Sequence, residues 1–199
     1  MIEGLRNLGF STICATPHQK TSQYLPTLEA IGEAHQEVLE AVRERNWPVT
    51  IPLAAENMWD TIFYERVLTD AVPCYGESRA FLVEVRVHEL PVGMLEQIFR
   101  MRTRGWLPVI AHPERYQPLW KSPETMRRLA EHCAMVVDLG AVAGQLSLYN
   151  AASLAAIEVP SAELESQLAN LERLVPHLTE HGCDISAQDA ARSLIRYFD

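Results

Sequence analysis

Residues 111–116, Ala-His-Pro-Glu-Arg-Tyr, carry two side chains with complementary chemistry. The imidazole of His112 can bind a metal ion, and the guanidinium of Arg115 can grip a phosphate with its planar fork of N–H donors. Both follow directly on the apolar run 106–110, which is typical of a buried parallel strand. We therefore expect a loop at a strand end that holds a metal and a phosphoryl group together. The alternative is a structural histidine beside an arginine in a surface salt bridge.

Three further residues that could bind a metal recur at a similar point of the chain pattern. His18, Glu56 and Glu84, like His112, stand at the ends of predicted strands, one or two β–α units apart. Because the carboxyl ends of parallel strands gather on one face, we expect the four side chains to converge. Two imidazoles and two carboxylates suit first-row metal ions, two or more of them where carboxylates bridge. Glu84 is the strongest single indication, because a carboxylate inside an apolar strand is costly unless something neutralises it.

The elements that must position these residues alternate between strand and helix. Apolar runs predict strands at 10–15, 48–55, 78–85, 106–111 and 134–139. Helical periodicity predicts helices at 1–8, 26–46, 91–104 and 123–132. Residues 61–68 fit neither pattern clearly. Strands and helices that alternate with short connections imply parallel strands joined by right-handed crossovers, which is an α/β fold.

The sequence changes character after residue 144. Helical periodicity continues over 161–182 and 186–198, but no further strand is predicted. We therefore predict a β/α portion at 1–144 and a helical tail at 145–199, whose packing the sequence leaves open.

Composition is typical of a soluble protein. The 199 residues are 48% hydrophobic and 22% charged, and the formal net charge of −9 argues against a nucleic-acid partner. No apolar stretch is long enough for a transmembrane helix, and the N-terminus lacks the pattern of a signal peptide. The four cysteines form neither a disulfide framework nor a zinc motif, so we expect a reducing, cytoplasmic location.

The same residues resemble a known family. The segments that carry the resemblance are Ala-Thr-Pro-His at 15–18, Ala-Ala-Glu-Asn at 54–57, Val-Glu-Val at 83–85 and the hexapeptide at 111–116. They look like those of the bacterial manganese-dependent tyrosine phosphatases. These are the capsular-polysaccharide and exopolysaccharide phosphatases of the polymerase-and-histidinol-phosphatase (PHP) superfamily. The resemblance extends over residues 1–144.

The resemblance implies a distorted β/α barrel with up to three metal ions, commonly manganese, at its carboxyl face. It implies metal binding by His18, Glu56, Glu84 and His112, and phosphate binding by Arg115. Iron, magnesium or zinc are the alternative metals. The implied substrate is phosphotyrosine in the C-terminal tail of a membrane-associated tyrosine kinase that controls polysaccharide export.

Two elements of the family pattern are not found in this sequence. The family begins with a strand carrying His-x-His and a nearby Asp, and we expect this chain to start after that strand. The family ends with a Ser-Asp-Ala-His-like element, but here Ala191 stands where the His is expected, after Asp189. We therefore expect fewer metals, a barrel incomplete at the N-terminus and an exposed sheet edge. The chain could be a truncated product, a degenerate homologue, or one copy of an oligomer that fills the gap.

Three functions fit these observations. The first is a metal-dependent phosphotyrosine phosphatase acting on a kinase of polysaccharide export. The second is a catalytically degenerate binding or regulatory protein. The third is a PHP phosphoesterase with a small substrate such as histidinol phosphate, which the hexapeptide context favours less.

Overall fold

The computed structural model describes residues 1–7, 9–21 and 23–137. Four features of the sequence prediction lie outside these residues: the helices at 161–182 and 186–198, the boundary at residue 144 and Asp189. The chain forms two compact units. The first comprises Met1–Val85 and Glu96–Ala111, and the second is described over 86–95 and 112–137. No helix in the described ranges combines the length and apolarity needed to cross a membrane.

Helices and strands alternate along the described chain, as the sequence predicts. The helices are α1 (Ile2–Asn7), α2 (Leu28–Glu44), α3 (Thr61–Leu68), α4 (Met94–Thr103), α5 (Gln117–Trp120) and α6 (Pro123–Ala130). The strands are β1 (His18–Gln19), β2 (Glu56–Met58), β3 (Ala80–Glu84), β4 (Leu107–Ala111) and β5 (Ala134–Val136). A short 3-10 helix covers Pro113–Arg115.

The first unit is built on the parallel strands β1, β2, β3 and β4, which are neighbours in that order. In register, His18 pairs with Glu56, Glu56 with Leu82, and Leu82 with Val109. Helices α2, α3 and α4 supply the three crossovers. The predicted α/β class with parallel strands is therefore confirmed. The described strands form an open sheet, so the predicted closure into a barrel is not observed among them.

Strands β1 and β2 begin later than the apolar runs predict. The runs at 10–15 and 48–55 contribute only isolated parallel bridges ahead of the continuous ladder. Pro52 lies in the second run and Pro17 follows the first, and neither has an N–H to donate, which interrupts the ladder. As a result His18 and Glu56 are the first residues of β1 and β2 rather than residues that follow a strand.

Residues 61–68, whose pattern is ambiguous, form helix α3. The carboxylate of Asp60 caps it by accepting a hydrogen bond from the N–H of Phe63 at 3.0 Å. Phe63 and Val67 lie one turn apart and are the buried residues of the helix. The cap and this apolar pair thus fix a helix that sequence periodicity alone leaves undecided.

Strand β3 is buried on both faces, as expected for a parallel strand covered by helices. On one face Phe81 packs between Phe63 and Trp106, with ring centroids 5.4 and 5.8 Å away. Leu82 lies on the opposite face, in a small apolar cluster with residues of β4. Because side chains alternate along a strand, Glu84 shares the face of Leu82.

The second unit contains the chain after β4. The N–H of His112 donates to the carbonyl oxygen of Val136 in β5 at 2.7 Å. The N–H of Gln117 donates to the carbonyl oxygen of Val87 at 2.8 Å, which joins the two segments of this unit. The stretch after His112, predicted as a loop, holds the 3-10 helix and α5, and each has a proline at its start.

Candidate metal centre

Three of the predicted metal ligands, His18, Glu56 and Glu84, converge in the first unit. Each offers one ligand atom, and these atoms all lie within 4.8 Å of one another. The strand register explains the convergence. His18 and Glu56 are partners on β1 and β2, and Glu84 stands two residues beyond Leu82, the partner of Glu56. Residues two apart on a strand share a face, so the three side chains lie on the same side of the sheet.

The two carboxylates are largely withdrawn from water, whereas the imidazole is open to it. The side chains of Glu56 and Glu84 are 12% and 11% exposed, and that of His18 is 53% exposed. Nε2 of His18 lies 3.4 Å from Oε2 of Glu56. A pair of nearly buried carboxylates calls for compensating positive charge, and the open imidazole leaves a path by which an ion can enter.

This donor set fits a divalent first-row ion. One imidazole nitrogen and two carboxylate oxygens are ligands that manganese, iron and zinc accept. With the imidazole neutral, Glu56 and Glu84 carry two negative charges, which one divalent cation would balance. The donors do not select one element among these metals.

Hydrogen bonds from β2 to β3 hold the carboxylates in place. Asn57 is 1% exposed, and its Nδ2 donates to the carbonyl oxygen of Leu82 at 3.0 Å. The N–H of Trp59 donates to the carbonyl oxygen of Glu84 at 2.9 Å. These bonds lock the register that places Glu56 near Glu84. Asn57 lies in the segment Ala-Ala-Glu-Asn, and its bond to Leu82 is not evident from the sequence, because the acceptor is a backbone atom of a strand 25 residues away.

Lys20 is a charged neighbour of the cluster that sequence analysis does not identify. Its Nζ lies 3.6 Å from Oε1 of Glu84. The available signal is its spacing, because a residue two positions after His18 on an extended strand lies on the same face.

Tyr75 is a second neighbour that the sequence does not reveal. Burial raises the pKa of Tyr75 to about 12, and the negative charges of Cys14 and Glu56 add to the effect. The side chain packs against the apolar cluster that contains Leu82. Its phenol is therefore neutral at physiological pH, and it lies close enough to Glu56 to respond to the charge of that carboxylate.

His112 and Arg115 occupy one turn of the second unit. His112 has φ 34° and ψ 57°, a left-handed conformation that is uncommon for a residue other than glycine. Its carbonyl oxygen accepts from the N–H of Arg115 at 2.9 Å, and its ring contacts Tyr116 edge-on, with centroids 5.7 Å apart. Glu114 between them is fully buried, which sequence analysis does not foresee. The structure thus defines the turn that carries both residues. That His112 and Arg115 lie beside the cluster of His18, Glu56 and Glu84 stays a prediction.

The fold and this cluster define an α/β protein with a candidate metal site on one face of the parallel strands β1, β2 and β3. Residues 1–154 match the family model for capsular polysaccharide synthesis proteins of the CpsB/CapC type. The chain therefore belongs to the CpsB/CapC family, which confirms the resemblance seen in its sequence.

Two bacterial relatives support this assignment. The chain is 26% identical over 141 residues to the tyrosine-protein phosphatase YwqE of Bacillus subtilis, covering 68% of this chain and 54% of YwqE. It is 27% identical over 123 residues to the tyrosine-protein phosphatase CpsB of Streptococcus pneumoniae, covering 62% of this chain and 51% of CpsB. The chain thus spans about half the length of these relatives.

A solved structure shares the fold. It comes from crystal structures of YwqE from Bacillus subtilis and CpsB from Streptococcus pneumoniae, described as metal-dependent tyrosine phosphatases. The TM-score is 0.66 at 21% sequence identity, and the match covers 72% of this chain and 59% of that one.

Proposed function

We propose that this chain carries the activity of a metal-dependent phosphotyrosine-protein phosphatase in capsule or exopolysaccharide synthesis. The observation that carries the proposal is the convergence of His18, Glu56 and Glu84 in a family whose members include proteins named tyrosine-protein phosphatases. The two nearly buried carboxylates give the centre the negative charge that a divalent cation needs.

His112 is the proposed fourth ligand and manganese the proposed metal. His112 directly follows β4, the neighbour of β3 in the sheet, and residues after the carboxyl ends of parallel strands face a common site. The strained backbone of His112 supports a functional role, because such strain clusters at ligand sites. Two carboxylates beside imidazole suit manganese, with iron, magnesium or zinc as alternatives.

Arg115 is the proposed phosphate-binding residue. Its guanidinium would hold two phosphoryl oxygens with two parallel N–H donors and offset charge that develops on them. When bound, a divalent ion supplies Lewis-acid chemistry and acidifies water. An aryl phosphate is the favoured substrate because its leaving group is a phenolate. A tyrosine phenol has an ordinary pKa of about 10, so its anion departs with little help from a proton donor.

The proposed substrate is the phosphotyrosine tail of a tyrosine kinase of polysaccharide export, met in the cytoplasm. The role of the family in capsular polysaccharide synthesis supports this substrate. The exposure of His18 on one side of the centre supports a protein segment as the substrate, in preference to a small molecule that would be enclosed. Four parallel strands with helical crossovers support a PHP-type barrel for the complete fold.

The test is phosphate release from a phosphotyrosyl peptide by purified protein, with metal content measured in parallel. We expect turnover that depends on added manganese and that falls at least about 100-fold in Glu84→Gln, which keeps the shape of the side chain. Glu89→Gln is the matched control, because Glu89 is an exposed carboxylate in the loop after β3.

Other outcomes would replace the proposal. Stoichiometric metal binding without turnover on phosphotyrosyl peptide would identify a degenerate binding or regulatory protein. A clear preference for histidinol phosphate would identify a small-molecule phosphoesterase. If the wild-type protein binds neither manganese nor iron, magnesium or zinc, the proposal of a metal centre is wrong.

A further inference from the structure

We infer that Lys20 is a built-in cation of the metal centre, which takes the place of an additional metal ion and contacts the phosphoryl group of the substrate. The inference rests on the proposed function, since it concerns the same site and the same class of phosphate monoester.

Lys20 forms an ion pair with one of the clustered ligands. Nζ of Lys20 lies 3.6 Å from Oε1 of Glu84, one of the three clustered ligands. The side chain of Lys20 is 31% exposed and that of Glu84 11% exposed. A charge pair at this depth is screened less by water than a surface pair, so the ammonium repels a cation that binds at Glu84 and attracts an anion there.

The loop around Lys20 is held from two sides. The N–H of Lys20 donates to the carbonyl oxygen of Tyr24 at 2.6 Å, and the N–H of Tyr24 donates back to the carbonyl oxygen of Lys20 at 3.0 Å. The next residue, Thr21, donates through its N–H and its hydroxyl to the carboxylate of Asp60. Asp60 is itself fixed as the cap of α3. The backbone of Lys20 is therefore held near the cluster by hydrogen bonds at Lys20 itself and at the neighbouring Thr21.

The sum of charges at the centre indicates how the ammonium of Lys20 would affect metal and phosphate binding. Glu56 and Glu84 contribute two negative charges and Lys20 one positive charge. A single divalent ion would then give these three side chains and the ion a small net positive charge, to which the proposed Arg115 would add, and this suits a phosphate group of charge about −1.5 to −2 at neutral pH. A second divalent ion would meet repulsion from both the first ion and the ammonium. The centre is thus suited to one metal ion plus Lys20.

The choice of residue supports the same role. The chain has 199 residues and 17 basic side chains, but Lys20 and Lys121 are its two lysines. An ammonium is a compact point charge with rotatable donors, closer to a metal ion than the planar guanidinium used elsewhere in the chain.

The experiment measures manganese binding and phosphate binding by titration calorimetry on wild type, Lys20→Met, Lys20→Gln and Lys20→Arg. We expect Lys20→Met and Lys20→Gln to bind manganese at least about tenfold more tightly, because a like charge is removed. The same variants, loaded with manganese, should bind inorganic phosphate at least about tenfold more weakly. Lys20→Arg should stay near wild type for manganese, and Lys121→Met is the matched control for loss of one lysine.

The outcomes separate this inference from the proposed function. Manganese affinity that is unchanged or weaker in both neutral variants, or unchanged phosphate affinity, overturns the role of Lys20 while leaving the metal centre in place. A wild-type protein that binds manganese and phosphate but does not cleave phosphotyrosyl peptide overturns the proposed activity, and the variants still decide the role of Lys20. If the wild type binds no manganese, both proposals fall.

Discussion

His18 and Glu56 are register partners on neighbouring parallel strands, and Nε2 of the imidazole lies 3.4 Å from Oε2 of the carboxylate. Because the sheet backbone sets this separation, a metal ion would find two of its ligands already side by side. Little ordering entropy then opposes binding, which is the advantage of placing ligands on strands rather than on loops.

The first prediction is that Glu56→Gln weakens manganese binding at least about 100-fold while the fold persists, because an amide oxygen lacks the charge of the carboxylate. Metal affinity by calorimetry and circular dichroism of the metal-free protein check the two parts. Glu65→Gln is the control, since Glu65 is an exposed carboxylate on α3. Equal losses in the two variants would mean that the effect comes from net charge and not from ligation.

The second prediction concerns Arg115. Arg115→Ala should lower kcat/KM for phosphotyrosyl peptide by about 100-fold to 1,000-fold at unchanged metal content, because charge on the phosphoryl oxygens is no longer offset. Arg115→Lys should recover part of this loss, since it keeps the charge but not the fork of donors.

Steady-state kinetics with metal analysis of the same samples decides the outcome for Arg115. Arg128→Ala is the control, because Arg128 is an exposed arginine on α6. Loss of metal together with activity in Arg115→Ala would assign Arg115 to the structure of the turn instead.

The sequence predicts best those elements whose signal is local. Strands β3 and β4 are apolar runs, and β4 is preceded by Gly105, whose φ of 81° ends the helix before it. The convergence of His18, Glu56 and Glu84 also follows from sequence, because the strand ends of a parallel sheet have a known common face. The sequence thus predicts that these three side chains meet, although His18 and Glu56 begin their strands and only Glu84 ends one.

Other features depend on contacts that no local pattern contains. The charge pair of Lys20 with Glu84, the hydrogen bond of Asn57 to Leu82 and the effect of Glu56 on Tyr75 all join residues that lie far apart in the sequence. The delayed start of β1 and β2 reflects prolines, which leave the apolar pattern intact but remove ladder hydrogen bonds. Periodicity records which residues are buried, and it does not record which backbone groups are paired.

The third prediction concerns the buried amide of Asn57. Asn57→Ala removes the donor to the carbonyl oxygens of Ala55 and Leu82, which lie 3.2 and 3.0 Å from Nδ2. Two buried acceptors lose a partner, so the free energy of unfolding should fall by about 2 to 4 kcal/mol. Manganese affinity should fall as well, because Glu56 precedes Asn57 and depends on the same register. Urea denaturation measures the first effect, with exposed Asn7→Ala as the control.

The fourth prediction uses the ionisation of Tyr75. Burial, followed by the charges of Cys14 and Glu56, raises the pKa of Tyr75 to about 12 in the folded protein. The unfolded chain releases this proton near the ordinary value of about 10, so it binds fewer protons than the folded state between these two pH values. The contribution of Tyr75 to stability is therefore complete below about pH 10 and is lost as pH rises towards 12.

Two variants test this linkage and its cause. Tyr75→Phe should flatten the fall in the free energy of unfolding in the alkaline range, because the residue that releases the proton is gone. Glu56→Gln should lower the pKa of Tyr75, read from tyrosinate absorbance as the difference from a matched Tyr75→Phe sample, because one neighbouring negative charge is removed. Glu65→Gln should leave that pKa where it is. If Glu56→Gln also leaves it unchanged, burial alone holds the phenol neutral, and Tyr75 does not sense the charge state of the candidate metal centre.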